Sequence, residues 1–184
     1  MAERLSLKNA ADEEFIAPGR SGCAGCAAML AVRLVTKVLG ANTIMVNATG
    51  CVTSNFTHAG APCLPFIHSL LPATGAMLSG IDAGLKAKGR RDNINLLGFA
   101  GDGGTADIGL QYLSGAVERG HRFVYVCYDN EGYMNTGGQR SGTTPERART
   151  STTQAGCKRG EGGLPQRRKD MVRIMAAHGI PYAA

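Results

Sequence analysis

Tryptophan is absent from this 184-residue chain, and the aromatic residues together supply only 5% of it. The basic residues therefore have no aromatic side chains interleaved with them, and without a stacking platform a nucleic-acid partner is not expected. No run approaches the roughly 18 to 20 apolar residues that span a bilayer, so no membrane association is expected either. The opening MAERLSLKNAADEEF lacks the apolar centre of a secretory signal. The chain is thus expected in the cytoplasm, where thiols stay reduced. Its six cysteines read as metal ligands or buried thiols rather than as a disulfide framework.

Glycine, by contrast, is abundant: 26 residues fall in clusters between apolar runs, which indicates many tight loops. With 43% hydrophobic residues the chain can form the core of one domain, but it is too short for two large ones. The net charge of +6 is uneven, because Arg147, Arg149, Lys158, Arg159, Arg167, Arg168, Lys169 and Arg173 crowd together near the C-terminus. A solvated loop and helix face account for such a run. So does a docking surface for an acidic protein or for the phosphates of a nucleotide-like substrate.

After a polar leader over residues 1–20, the spacing of Leu30, Leu34, Val35 and Val38 predicts a helix over 27–39 that Gly40 ends. The β-rich run TIMVN at 43–47 predicts a buried strand, and a long loop over 48–66 follows it. Residues 69–88, rich in Gly and Ala, read as a helix with Pro72 in its first turn. NLLGFA at 95–100 is a second strand and 123–128 a third; between them 106–118 is a helix with Ile108, Tyr112, Leu113, Ala116 and Val117 on one face. A loop rich in Gly, Thr and Arg covers 129–166. A helix over 168–178 follows, marked by Met171, Ile174 and Met175, and a strand begins at 180–183. Strands alternating with helices predict an α/β fold, a doubly wound and mostly parallel sheet. Because the domain at 21–184 stops on entering a strand, it is expected to be truncated at its C-terminus.

The segment richest in chemistry is Gly101-Asp102-Gly103-Gly104-Thr105, between a predicted strand and a predicted helix. Open α/β sheets bind ligands at the carboxyl ends of their strands. Glycines let backbone N–H groups approach an anion, and a helix start adds partial positive charge. An aspartate in the same turn repels a phosphate unless a cation lies between them, which points to Mg2+. Asp-Gly pairs alone are common in ordinary turns, but 26 residues separate Gly103 from Asn130, which closes the next strand. Asp102 and Asn130 therefore fall at neighbouring strand ends, with the carbonyl of Gly132 available to the same ion. This Gly-Asp-Gly and Asn spacing resembles the thiamine-diphosphate-binding motif of thiamine-dependent enzymes, which implies Mg2+ held by Asp102, Asn130 and Gly132 against the diphosphate.

Cys23 and Cys26 form a CxxC, and Cys51 follows 25 positions later at a strand end. Taken alone, CxxC suits zinc, a redox disulfide or an iron–sulfur cluster. Together with GCAGC at 22–26, NATGC at 47–51 and DNEGYMNTG at 129–137, however, the chain from about Ser21 onward resembles the β subunit of the 2-oxoacid:ferredoxin oxidoreductases, of the pyruvate:ferredoxin oxidoreductase type. The resemblance implies that Cys23, Cys26 and Cys51 are three ligands of a [4Fe–4S] cluster whose fourth ligand lies beyond this chain. It further implies that Thr49, Gly50, Cys51, Gly101, Asp102, Gly103, Gly104, Asn130, Gly132, Tyr133, Met134 and Asn135 meet the cofactor, with Asn135 beside the reacting centre. Cys127, inside an apolar strand, reads as a core residue. Cys63 and Cys157 match no ligand position, and Glu131 is expected to face solvent. His58 and His68 flank the cofactor loop, as structural residues or as hydrogen-bond donors to substrate.

The implied activity is oxidative decarboxylation of a 2-oxoacid, most commonly pyruvate, to acyl-coenzyme A and CO2, with electrons leaving through the cluster to ferredoxin. The implied partners are an α subunit that supplies the catalytic glutamate, and ferredoxin or a ferredoxin-like subunit. Two rival readings are a non-oxidative thiamine-dependent decarboxylase or carboligase with incidental cysteines, and a non-catalytic or zinc-binding fragment of the same scaffold.

Overall fold

The computed structural model describes residues 12–19, 21–58, 62–154 and 162–184. Among the described residues four strands form one sheet: β1 (Thr43–Ala48), β2 (Phe66–Ser69), β3 (Asn95–Gly101) and β4 (Val124–Tyr128). They lie in the order β2-β1-β3-β4, and every pairing is parallel. Five α-helices accompany them among the described residues: α1 (Ala27–Leu39), α2 (Cys51–His58), α3 (Thr74–Ala87), α4 (Leu110–Glu118) and α5 (Met171–Ala176). The pleat sends Met45, Leu97 and Phe99 to one face, where they pack with Met29 and Val32 of α1 and Val52 and Phe56 of α2. Val46 and Leu96 point to the other face and meet Leu78 of α3. α4 lies against α3 so closely that a Cβ on Gly75 would stand 2.6 Å from the Tyr112 carbonyl oxygen. Helices on both faces of a parallel sheet make the fold doubly wound, as the alternation of elements predicts.

From β1 the chain moves outward to β2, and α3 then carries it back across to β3 on the other side of β1. The winding direction thus reverses between β1 and β3. The crevice outside their carboxyl ends is where sheets of this kind bind ligands.

Several elements depart from expectation. The buried stripe of α1 is Met29, Val32 and Thr36, whereas Leu30, Leu34 and Val38 are 53%, 38% and 56% exposed. Thr36 can turn inward because its hydroxyl donates to the Val32 carbonyl at 2.9 Å. Residues 48–66 contain α2, whose buried face mixes Val52 and Phe56 with Thr53 and Asn55 and so lacks an apolar period. Residues 66–69 are β2, so α3 starts at Thr74 and Pro72 sits in the turn before it. The helix expected over 106–118 begins only at Leu110. Gly103–Asp107 wind as a wider π turn that carries Ile108 outward, and Tyr112 is also exposed while Leu113 and Ala116 are buried. Residues 180–183 form no strand; Pro181 has no N–H to give a ladder. Within the stretch read as a leader, Phe15 and Ile16 are buried, and the Phe15 carbonyl accepts from the Cys63 amide at 2.8 Å. No helix among the described residues is long and apolar enough to cross a membrane.

An ionic cluster fastens the amino ends of β3 and β4 to α3. Asp82, fully buried, accepts from His121 Nδ1 at 2.8 Å, Lys86 Nζ at 2.7 Å and Arg91 Nε. The Arg91 guanidinium also donates to the carbonyls of Ile94, at 2.5 Å, and Arg122. Burial alone would raise the Asp82 pKa, but the hydrogen bonds from Lys86, Arg91 and His121 outweigh it and hold the carboxyl well below the usual aspartate range.

Candidate functional site

The sheet register pairs Gly101 with Tyr128, so Asp102 and the pair Asp129–Asn130 leave the sheet side by side. Asp102 is 1% exposed. Its Oδ2 accepts from the Ser141 hydroxyl and from Thr143 Oγ1 at 3.0 Å. Its Oδ1 lies 2.9 Å from one end of the Asn130 amide, and that same end lies 3.0 Å from the Gly132 carbonyl oxygen. With oxygen at that end, the three groups match two edges of a magnesium octahedron, whose neighbouring ligands are about 2.9 Å apart when Mg–O is about 2.05 Å. Burial pushes the Asp102 carboxyl above its ordinary pKa; the Ser141 and Thr143 hydrogen bonds oppose this and the Asp129 charge adds to it. Thr143 Oγ1 also approaches Asp129 Oδ1 at 2.8 Å, yet a hydroxyl has one proton for the two carboxylates. Arg168 stands 3.5 Å from Asp129 Oδ2 and offsets that charge, which leaves the buried Asp102 carboxylate among oxygen donors, a setting that draws a hard cation.

The turn after Asp102 is clamped by the loop that follows β4. The Tyr133 ring covers Gly103, where a Cβ would lie 2.2 Å from Cε1, so only glycine fits. Tyr133 Oη donates toward Asp107 Oδ2 at 3.1 Å and the Gly103 carbonyl at 3.2 Å. Burial, helped by Asp107, pushes this phenol up to about 12. Asp107 further accepts from the Gly142 amide at 2.9 Å and Lys169 Nζ at 2.7 Å, and Lys169 N donates to the Gly142 carbonyl at 2.8 Å. Glu131 adopts φ of +66°, uncommon for a residue with a side chain; it reverses the chain so that Gly132 turns back toward Asp102. π turns and left-handed residues of this sort concentrate at functional sites.

Across the β1–β3 crevice, Cys51 opens α2. A Cβ on Gly50 would lie 2.7 Å from the Tyr128 hydroxyl, so the turn rests directly on β4. Cys26 and Cys51 pack against the same core, and Cys23 is exposed. Burial raises the Cys51 pKa, the nearby thiols of Cys26 and Cys23 raise it too, and a hydrogen bond from Asn130 opposes them. That bond runs from Asn130 Nδ2 to Cys51 Sγ at 3.9 Å. Gly22 abuts Asn55, whose amide donates to the Cys51 carbonyl at 2.8 Å, which ties the CxxC segment to the start of α2. Among the described residues no three His, Cys, Asp or Glu side chains are grouped to hold a single metal ion.

Residues 23–184 match the family described as Thiamine pyrophosphate enzyme, C-terminal TPP binding domain. The chain belongs to this thiamine pyrophosphate enzyme family. It is 53% identical over 176 residues to pyruvate synthase subunit PorB of Methanothermobacter thermautotrophicus, covering 94% of this chain and 60% of that one. It is 46% identical over 180 residues to ketoisovalerate oxidoreductase subunit VorB of Pyrococcus furiosus, covering 94% and 57%. The chain thus spans about 60% of the length of the curated relatives it matches. A solved structure, 2-oxoglutarate:ferredoxin oxidoreductase from Magnetococcus marinus with 2-oxoglutarate, coenzyme A and succinyl-CoA bound, superimposes with a TM-score of 0.72 at 20% identity, covering 90% of this chain and 53% of that one, and so shares the fold.

In this thiamine pyrophosphate enzyme domain, Asp102, Asn130 and Gly132 are together, and Gly101, Gly103, Gly104 and Tyr133 surround them. Thr49 lies at the end of β1, where its hydroxyl is 2.9 Å from His68 Nε2. Met134 and Asn135 are exposed on a short 3-10 turn, and Glu131 is exposed. Cys127 is held up to about 11 by burial, as a core thiol would be. The His58 side chain lies outside the described residues, as do Cys157, Lys158 and Arg159. The residues that sequence reasoning missed are Ser141, Thr143 and Asp107. The only sequence signal of the first two is a hydroxyl-rich SGTT run within a long loop, and Asp107 has none. Replacing Ser141 and Thr143 together by alanine is expected to weaken Mg2+-dependent thiamine diphosphate binding by about tenfold or more, the usual effect of losing groups that orient a metal ligand. Titration calorimetry reads this directly, and unchanged affinity would remove the two hydroxyls from the site.

Proposed function

We propose that the chain is the thiamine-diphosphate-binding subunit of a 2-oxoacid:ferredoxin oxidoreductase that converts a 2-oxoacid, pyruvate as first choice, to acyl-coenzyme A and CO2. The observation that carries the cofactor half is the meeting of Asp102 Oδ1, the Asn130 amide and the Gly132 carbonyl within 2.9–3.0 Å at adjacent strand ends. An all-oxygen donor set of this kind fits Mg2+, and the three groups would hold the ion against the diphosphate. The soft thiolates of Cys23, Cys26 and Cys51 fit iron, and they supply three of the four ligands of a [4Fe–4S] cluster. When bound, thiamine diphosphate supplies stabilisation for the negative charge left as CO2 departs, and the cluster supplies a one-electron acceptor.

The chain's own residues do the positioning. Ser141 and Thr143 orient the Asp102 carboxylate, the Tyr133–Asp107 clamp fixes the turn at Gly103, and Gly50 and Thr49 line the crevice from the β1 side. Asn135, exposed near the mouth, faces the substrate. The α subunit contributes the catalytic glutamate, and coenzyme A and ferredoxin receive the acyl group and the electrons. The names of the relatives, pyruvate synthase and ketoisovalerate oxidoreductase, support the 2-oxoacid class.

Calorimetric titration with thiamine diphosphate, with and without Mg2+, followed by anaerobic reconstitution with iron and sulfide, tests the reading. Mg2+-dependent binding and a visible chromophore that Cys23→Ser removes are expected. Binding without a chromophore would favour a non-oxidative decarboxylase or carboligase. No binding, even with a partner subunit supplied, would mark a non-catalytic scaffold.

A further inference from the structure

Ser141 and Thr143 both donate to Asp102 Oδ2, and the residue between them is a glycine held from two sides. The Gly142 N–H donates to Asp107 Oδ2 at 2.9 Å, and the Gly142 carbonyl accepts from the Lys169 amide at 2.8 Å. The Lys169 side chain closes the ring, its Nζ standing 2.7 Å from Asp107 Oδ1 and 2.6 Å from the Ala106 carbonyl. The three residues fit without slack: a Cβ on Gly142 would overlap Asp107 Oδ1 and stand 2.9 Å from Lys169 Cδ and Cε. Beyond Thr143 the run is tied down again, where the Thr144 hydroxyl donates to the Glu131 carbonyl at 2.6 Å. Backbone pinned on both sides presents its side chains in a fixed direction, and here those side chains meet the carboxylate that faces Asn130 and Gly132 through its other oxygen.

We propose that Gly142 and Lys169 are positioning residues for the cation: locked together on Asp107, they hold the Ser141 and Thr143 hydroxyls on Asp102 Oδ2 and so keep Oδ1 aimed at the ion. The inference deepens the magnesium reading given above and rests on it. Lys169 and Asp107 are 41% and 25% exposed, and an ion pair that open to water adds little to stability. What its loss changes is direction. Partners that orient a metal ligand govern affinity without touching the metal, and a site whose supporting contacts loosen binds less tightly although every ligand is still present. Lys169 reaches this position from 62 residues beyond Asp107, so the returning chain completes the support that the strand ends begin.

The test measures Mg2+-dependent thiamine diphosphate affinity by calorimetry on the full chain, with the melting temperature in parallel. Lys169→Met keeps most of the stem and loses the ammonium; it is expected to weaken binding about twofold to tenfold, the range of one ordinary hydrogen bond, and to change the melting temperature little. Gly142→Ala leaves every charge in place and is expected to weaken binding at least as much. Lys86→Met removes the same charge at the opposite end of the sheet and is expected to match the wild type in affinity. In the Ser141→Ala, Thr143→Ala background, Lys169→Met is expected to cost less than about twofold further, because the groups through which it acts are gone. Wild-type affinity in either Lys169→Met or Gly142→Ala would leave the lock a purely structural contact and overturn the proposal. So would a full, additive loss in the double-alanine background, which would mean that the Lys169 charge acts on the diphosphate directly. A wild type that binds no thiamine diphosphate defeats the underlying reading as well, which separates the two failures.

Discussion

Asp102→Asn is expected to lower magnesium-dependent affinity for thiamine diphosphate more than about 100-fold while leaving the fold intact. Groups that merely orient a ligand cost tenfold to hundredfold when removed, so loss of the charged ligand itself costs at least as much. The fold gains or is unchanged because the native carboxylate is disfavoured by its own burial. Its folded pKa lies above the ordinary 3.8, so the protonated form supports the fold below that value. This support is lost as the pH rises through the raised folded pKa. An amide keeps an acceptor for Ser141 and Thr143 without that loss. Cation binding runs the other way, since the ion needs the carboxylate: affinity in the wild type falls as the pH drops through the raised pKa. Calorimetry across a pH series, with urea unfolding of both proteins, reads all three effects. Near-normal affinity in Asp102→Asn would move the metal elsewhere.

The second large effect is structural. Asp82→Ala is expected to cost about 3–5 kcal/mol, because it leaves the buried Arg91 guanidinium without its counter-charge. At about 2–4 °C per kcal/mol for a chain of this size, the melting temperature falls by roughly 6–20 °C. Lys86, 52% exposed, contributes little of this. The folded pKa of Asp82 is depressed, so its contribution is present above the unfolded value and fades as the pH falls below it toward the folded one. Differential scanning calorimetry at neutral and acid pH checks both statements. A neutral-pH shift of only a degree or two would mean that Arg91 finds sufficient partners in the Ile94 and Arg122 carbonyls.

Local pattern revealed what local physics decides. TIMVN and NLLGFA are apolar on both faces and are the central strands β1 and β3, and the parallel order follows from the helices between them. α2 escaped because CVTSNFTH turns Thr53 and Asn55 inward, where hydrogen bonds replace the missing apolar period. The short β2 escaped because FIHS is too short to show a period, and it fell between the loop expected over 48–66 and the helix expected from Ser69. At the site, Asp102 and Asn130 were legible because a strand-end spacing joins them. Ser141 was not, since its bond to Asp102 spans 39 residues and exists only once the loop has folded back. The apolar spacing of α1 gave the helix; of the residues that carry it Val35 packs against the core while Leu30, Leu34 and Val38 stay exposed, as the apolar stripe is wider than the sheet can cover.

Because Lys169 and Gly142 are joined amide to carbonyl and both grip Asp107, the chain between them leaves and re-enters at one point. Insertions within that excursion only lengthen a tether already closed, at a penalty that grows with the logarithm of its length. Related proteins are therefore expected to tolerate added length in this stretch beyond Thr144, recruiting new surface there while the Thr143 hydroxyl stays on Asp102.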